Sequence, residues 1–278
     1  PDGLVDVGAD CLLPEAPIAE VWGALRTAWG PEARRLPSGE ELRLTLRSSR
    51  DGAVALIVEG GYAPGRPEEL LDAVDGLVAV WHRPEEADGH RLLAGADTLL
   101  DVWAGMEVEL SGDVFVQVNR EAAALLEAHV LDRVTASSPE RVLDGYAGVG
   151  LYASRLEGDG VAVTAIEAHP AAVAEARRVA PASRVLEGPV EERLEEALPA
   201  DVAILNPPRA GLEEAVVDGL AGAGPDRVVY VSCDPATLAR DLRRLEGAYT
   251  VVGVRCFDLF PQTAHVETVV ELERCATT

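Results

Sequence analysis

Arg141-Val142-Leu143-Asp144-Gly145-Tyr146-Ala147-Gly148-Val149-Gly150 is the stretch on which the fold turns. A short apolar strand runs directly into a loop with glycines at 145, 148 and 150. Glycines there let the chain bend sharply and bring backbone N–H groups and a helix N-terminus close to a ligand. The spacing is G-x-x-G-x-G rather than the G-x-G-x-x-G of nicotinamide sites. Seventeen residues past Gly150, at the end of the next expected strand, stands Glu167. A carboxylate at that place can accept hydrogen bonds from both hydroxyls of a nucleoside ribose. Loop and acid together predict a nucleoside-bearing cofactor, with S-adenosylmethionine ahead of NAD.

Outward from this loop the rhythm is regular. A helix reads from Arg120 to about Val134, after Val114-Phe115-Val116-Gln117-Val118-Asn119. Apolar strands at 141–144, 161–166, 184–186, 201–205, 227–232, 249–255 and 266–272 then alternate with amphipathic helices, except between the last two. Strand–helix alternation forces parallel pairing and a doubly wound α/β sheet whose ligands sit beyond the carboxyl ends of the strands. This domain is expected over 111–278. Before residue 110 the elements are irregularly mixed. Ile18, Val21, Trp22, Leu25 and Trp29 fall at helical spacing. Leu42-Arg43-Leu44-Thr45-Leu46 alternates like a half-buried strand, and 53–58 follows after the turn signal Asp51-Gly52, which reads as a hairpin. Strands are also expected at 77–81 and 98–102. Residues 1–110 therefore predict a smaller α+β domain of RNA-recognition type, with no catalytic constellation of its own.

Composition narrows the class. Hydrophobic residues make up 48% of the 278 and charged residues 26%, which supports a packed core and excludes wholesale disorder. No apolar run approaches the roughly 20 residues needed to cross a bilayer. Four scattered cysteines do not make a disulfide framework, so a reducing cytoplasm is expected. Asp and Glu total 48 against 24 cations, every one an arginine, for a net charge of −24. A nucleic-acid binder ordinarily carries a basic footprint. The acids here read as a solvation or salt adaptation, or a composition bias, spread over the outside.

Two more strand ends on the ligand side carry chemistry. The fourth ends in Asn206-Pro207-Pro208-Arg209-Ala210-Gly211, the fifth in Ser232-Cys233-Asp234-Pro235-Ala236-Thr237. Asp234 is a good helix cap and Pro235 suits the first helical position. Cys233 is then expected at a helix N-terminus, where the dipole favours thiolate and lowers the pKa. The alternative is a buried small apolar residue. Further on, Glu267 falls at the entrance of the last strand, within the apolar run 266–270. A carboxylate there is paired, or desolvated with the raised pKa a general base near neutrality needs, or faces outward. His265 reads as a structural hydrogen-bonding residue, and Cys256 and Cys275 as unused thiols.

These motifs, taken in order, resemble the class I S-adenosylmethionine-dependent RNA (uracil-5-)-methyltransferase family. The likeness is carried by 115–119, the glycine loop, 206–211, the 231–242 stretch Val-Ser-Cys-Asp-Pro-Ala-Thr-Leu-Ala-Arg-Asp-Leu, and 260–267. It implies a seven-stranded class I methyltransferase fold. It also implies Cys233 as nucleophile, Glu267 as base, and S-adenosylmethionine held by Gln117, Tyr146, Glu167 and Asn206. The substrate implied is a uridine of RNA, ribosomal ahead of transfer RNA. Arg209, and with it Arg240, Arg243 and Arg244, are expected near phosphates, although solvated helix arginines are the plainer reading of the last three.

The sequence departs from the family in places. Asn206 stands where members usually carry Asp, and Leu151 where close relatives often have Asn. The OB-like domain that precedes this region in many members has no counterpart in these residues. Val5-Asp6-Val7-Gly8-Ala9-Asp10-Cys11 looks like the segment bearing the last of four iron–sulfur cysteines in some ribosomal-RNA members. Cys11 alone cannot hold a cluster, which takes about four thiolates. Two competing readings stand beside methylation at C5. One is amino-group methylation through Asn206-Pro207-Pro208, a motif that grips exocyclic amines when an aromatic follows; Arg209 holds that place here. The other is a non-catalytic RNA-binding relative.

Overall fold

The structure is a computed structural model and describes residues 11, 13–87, 89–103, 105–112, 114, 117 and 119–276. The chain divides into two compact units after Asp113.

In the first unit, helix α1 (Ala16–Ala28) precedes β1 (Arg43–Ser48) and β2 (Val54–Glu59), an antiparallel hairpin. Its five-residue connection is longer than the two-residue turn that Asp51-Gly52 suggests. The Ser49 N–H closes it onto the Ala53 carbonyl, with Gly52 at φ +91°. Helix α2 (Pro67–Ala73) then crosses over, so that β3 (Leu77–Arg83) lies parallel to β2. Strand β4 (Arg91–Gly95) completes a four-stranded mixed sheet, and β5 (Leu99–Trp103) pairs with β6 (Met106–Leu110). Strand β2 is buried along 54–58, and α1 and α2 cover it through Val21, Leu25 and Leu70.

The second unit holds the expected alternation. Helix α3 (Arg120–Thr135) is capped by Asn119, whose side chain accepts the Ala122 N–H. There follow β7 (Arg141–Gly145), α4 (Leu151–Gly158), β8 (Ala162–Glu167), α5 (Pro170–Val179), β9 (Arg184–Glu187), α6 (Val190–Ala197) and β10 (Val202–Leu205). The chain continues through α7 (Glu214–Ala223), β11 (Arg227–Ser232), α8 (Pro235–Leu245), β12 (Tyr249–Phe257) and β13 (Glu267–Arg274). The sheet order is β12-β13-β11-β10-β7-β8-β9, with β13 antiparallel to both β11 and β12.

Burial on both faces makes the inner strands read as continuous apolar runs. Val142, Val202, Ile204, Val229 and Val231 enter one core; Leu143, Ala203, Leu205, Val228 and Tyr230 enter the other. Each Val, Leu or Ile among them gains about 1.5–3 kcal/mol on full burial, so a one-residue slip, which would exchange the two faces, is resisted along the strands. The strand order reverses between β7 and β10. Beyond their carboxyl ends a doubly wound sheet opens its ligand crevice.

Candidate active site

At that crevice the glycine loop is built as a cradle. Tyr146 (φ +63°) and Gly148 (φ +55°) are left-handed, and Gly150 (φ +80°) begins α4. A Cβ on Gly150 would stand 2.9 Å from the Ala176 methyl carbon, so glycine also sets how closely α4 meets α5. Glu167, at the end of β8, accepts the Gly148 N–H on Oε2 at 2.8 Å and the His169 N–H on Oε1 at 2.7 Å. The carboxylate expected to meet a ribose thus also ties the loop to its neighbour, and each oxygen keeps acceptor capacity.

Asp144 Oδ2, Tyr146 Oη and Gln117 Oε1 are buried polar atoms of this unit without a partner among the described residues. Buried polar atoms are nearly always bonded, so a set left open at a crevice fits a polar ligand. Gln117 stands two residues before the Asn119 cap. Its neighbours Phe115, Val116 and Val118 lie outside the described residues. Burial, then the charge of Glu167, raises the Asp144 carboxyl to about 7 against the lowering bond from the Ala153 N–H. Asn206 is half-buried at the end of β10, and its N–H reaches the Gly145 carbonyl at 3.3 Å.

The reactive pair comes from two neighbouring strands. Strands β11 and β13 pair Ser232 with Thr268, so Cys233 and Glu267 face each other one position beyond that last pair. Asp234 caps α8 by accepting the Ala236 and Thr237 N–H groups, which puts Cys233 just ahead of the helix. The thiol is half-buried, and the expectation of a lowered pKa is corrected. Burial and then the Glu267 carboxylate push it up, outweighing the charge and hydrogen bond of Arg209. The dipole argument omits a carboxylate delivered by a strand 34 residues downstream. Glu267 itself is 4% exposed, and burial raises its carboxyl against the charge of Arg209. Of the three readings open for it, the desolvated one holds.

Other expectations are also corrected. Arg240 donates from Nε and Nη2 to Asp241 Oδ1 and from Nη2 to the Ala210 carbonyl, and Arg244 lies 3.7 Å from the same carboxylate. These two, although exposed, are engaged by the Asp241 carboxylate, and Arg243 is exposed as well. The His265 ring is exposed and meets Phe260 edge-on at 6.0 Å, and its backbone N–H bonds to Thr263 Oγ1. Cys11 is half-buried, while the residues before it lie outside the described ones. No group of three or more metal-ligating side chains occurs among the described residues. The sequence reading assigned no role to Asp144 or Asp241. The signal for the second was a carboxylate on the apolar stripe of α8, three residues after Leu238 and four before Leu245.

A family model described as tRNA (uracil-5-)-methyltransferase matches residues 193–275, the part that carries Asn206, Arg209, Cys233 and Glu267. Over that segment the chain is similar to this family of methyltransferases, and the curated relatives it matches are named RNA methyltransferases. Among these relatives, an RNA methyltransferase of Gloeobacter violaceus is 41% identical over 220 residues, covering 74% of this chain and 48% of its own length. One of Thermosynechococcus vestitus is 38% identical over 246 residues, covering 82% and 55%. The chain thus spans about half the length of the curated relatives it matches. The crystal structure of Pyrococcus abyssi tRNA (uracil-54, C5)-methyltransferase with S-adenosyl-L-homocysteine superposes with a TM-score of 0.70 at 24% identity. The match covers 91% of this chain and 66% of that one. The fold is therefore that of the class I S-adenosylmethionine-dependent methyltransferases.

Proposed function

We propose that this chain methylates C5 of a uridine in RNA, with S-adenosylmethionine as donor, Cys233 as nucleophile and Glu267 as base. The observation that carries the reading is the juxtaposition of Cys233 and Glu267 across β11 and β13, with the Arg209 charge on both. The orphaned Gln117, Asp144 and Tyr146 atoms and the Glu167-tied loop fit a nucleoside-bearing donor carrying an amino acid tail. Gln117, Tyr146, Glu167 and Asn206 would hold it, and when bound it supplies an electrophilic methyl group.

The residues divide the work as follows. Uracil C5 is a poor nucleophile. The Cys233 thiol loses its proton to solvent and its sulfur bonds to C6, moving the ring π electrons onto O4 and making C5 electron-rich, which is covalent catalysis. After C5 has taken the methyl group, Glu267 removes the C5 proton. The C5–C6 double bond re-forms and the sulfur leaves as thiolate. Arg209 steadies that thiolate on both occasions. These ring atoms are inaccessible in a paired helix, so the uridine must be unpaired or flipped out.

The test is incubation with 5-fluorouridine RNA and donor, offering both ribosomal and transfer RNA. The sequence favours the first, whereas the family description and the archaeal relative both name tRNA. A covalent adduct is expected with the native chain and none with Cys233→Ala. With ordinary uridine, Glu267→Gln should trap a methylated adduct and slow turnover by roughly 10²–10⁴-fold. Methyl transfer to an amine that ignores Cys233→Ala would put the Asn206-Pro207-Pro208 reading in its place. RNA retention without transfer would leave a binding protein.

A further inference from the structure

Arg209 is exposed at the apex of the connection between β10 and α7, yet among the described residues it is the cation that acts on both Cys233 and Glu267. A long side chain on a loop holds such a place only if its backbone is fixed. Asp241, on α8, supplies the fixing. Its carboxylate is 0% exposed. Oδ2 accepts the Leu212 N–H at 2.9 Å and the Tyr230 hydroxyl at 2.8 Å. Oδ1 holds Arg240, whose Nη2 also donates to the Ala210 carbonyl at 2.7 Å. The turn between is closed by the Gly211 N–H on the Pro208 carbonyl at 2.8 Å. Gly211 sits at φ +78°, where a Cβ would collide with the Asp241 carboxylate and the Thr237 methyl. The other end of the connection is tied by Asn206 to Gly145.

Helix α8 does not need this carboxylate to fold. Asp234 caps it, and Leu238 and Leu245 dock its inner face. An apolar residue at 241 would continue that stripe, and buried ionic groups are often matched or bettered in stability by apolar ones. We propose that Asp241 is a positioning residue, whose buried carboxylate clamps the 208–212 turn and so keeps the Arg209 guanidinium against Cys233 and Glu267. The inference deepens the proposed function and rests on its choice of nucleophile. The clamp lies two turns along α8 and the nucleophile just ahead of that helix's cap, so the turn bearing Arg209 is referenced directly to the sulfur it serves.

The test reads the thiol itself. Iodoacetamide alkylation of Cys233 is followed against pH by mass spectrometry of its peptide. The charged groups that act on the sulfur are Glu267 from β13 and Arg209 from the turn, with Asp234 next to it in the chain capping α8. Asp241→Asn should slow alkylation at pH 8 by about tenfold, a shift of about one unit, as expected when a neighbouring cation is withdrawn. Arg209→Ala should do the same, and the double variant should be no slower than Arg209→Ala alone. Effects that add, or an Asp241→Asn profile identical to the native one, would overturn the proposal. Hydrogen exchange on the native chain gives a reading that does not depend on any variant folding. The Leu212 amide should be protected, and exchange at the rate of an open loop amide would equally defeat the clamp. Alkylation and exchange need no RNA. A chain that forms no uridine adduct but passes both tests refutes the methylation reading alone, and an active chain that fails them refutes the clamp alone.

Discussion

Burial of Asp144 makes the floor of the cofactor loop sensitive to pH. Its carboxyl moves from 3.8 to about 7, first through desolvation and then through the charge of Glu167. A folded-state pKa above the unfolded one means that the folded chain binds the extra proton between those values. The stability this group contributes is therefore complete below about pH 4 and is lost as pH rises through about 7. A shift of that size corresponds to roughly 4 kcal/mol at most. Glu267 and Glu127 are raised by burial as well and add in the same direction. Asp144→Asn removes one contribution and leaves the others. Its unfolding free energy in urea, relative to that of the native chain, should thus be several kcal/mol larger (the variant relatively more stable) at pH 8 than at pH 4. A difference that stays constant with pH would show that the carboxyl ionises freely in the fold.

Helix α4 meets α5 at a glycine, and there the loop and the packing share one requirement. Gly150 is both left-handed and 3.0 Å, through its missing Cβ, from the Ala176 Cα. Gly150→Ala should cost about 1–3 kcal/mol from backbone strain and overpacking together, read as a lower urea midpoint with an unchanged slope. Elements of this kind were legible in the sequence because their residues answer local rules. Inner strands such as Val202–Leu205 are buried on both faces and bounded by turn residues, so seven strands could be read in order. Strand β4, Arg91-Leu92-Leu93-Ala94-Gly95, obeys neither alternation nor continuous burial, and it escaped. Strand β6 does alternate, with Val108 and Leu110 buried and Glu107 and Glu109 exposed, but its five residues close a short hairpin with no strong turn signal. At the site, Cys233 and Glu267 announced themselves as reactive types at strand ends. The sign of the thiol shift did not, because it is set by a partner brought in through strand pairing. Asp241 was hidden for the same reason: its partners Leu212 and Tyr230 lie 29 and 11 residues away.

Charge acts on the molecule as a whole. Even if every one of the 24 arginines were paired one to one, 24 of the 48 acids would remain uncompensated. The arginines do pair, as in Arg193 with Glu196 and Arg66 with Glu69 at 2.8 and 2.9 Å, but exposed pairs of this kind contribute only about 0–1 kcal/mol each. Two opposed consequences of salt follow. Screening weakens these contacts, which is destabilising, and weakens the mutual repulsion of the surplus carboxylates, which is stabilising. The second effect should prevail, because repulsion extends over many pairs at distances comparable with the screening length, about 10 Å at 0.1 M and 3 Å at 1 M. Contact pairs are shorter than either length and are screened less. Thermal unfolding followed from 0.05 to 1 M sodium chloride should therefore show midpoints that climb with salt. A gain of 1 kcal/mol would appear as about 2–4 °C in a domain of this size. Midpoints that fall with salt would mean that the arginine pairs outweigh the surplus acids, and the excess charge would then need a different physical account.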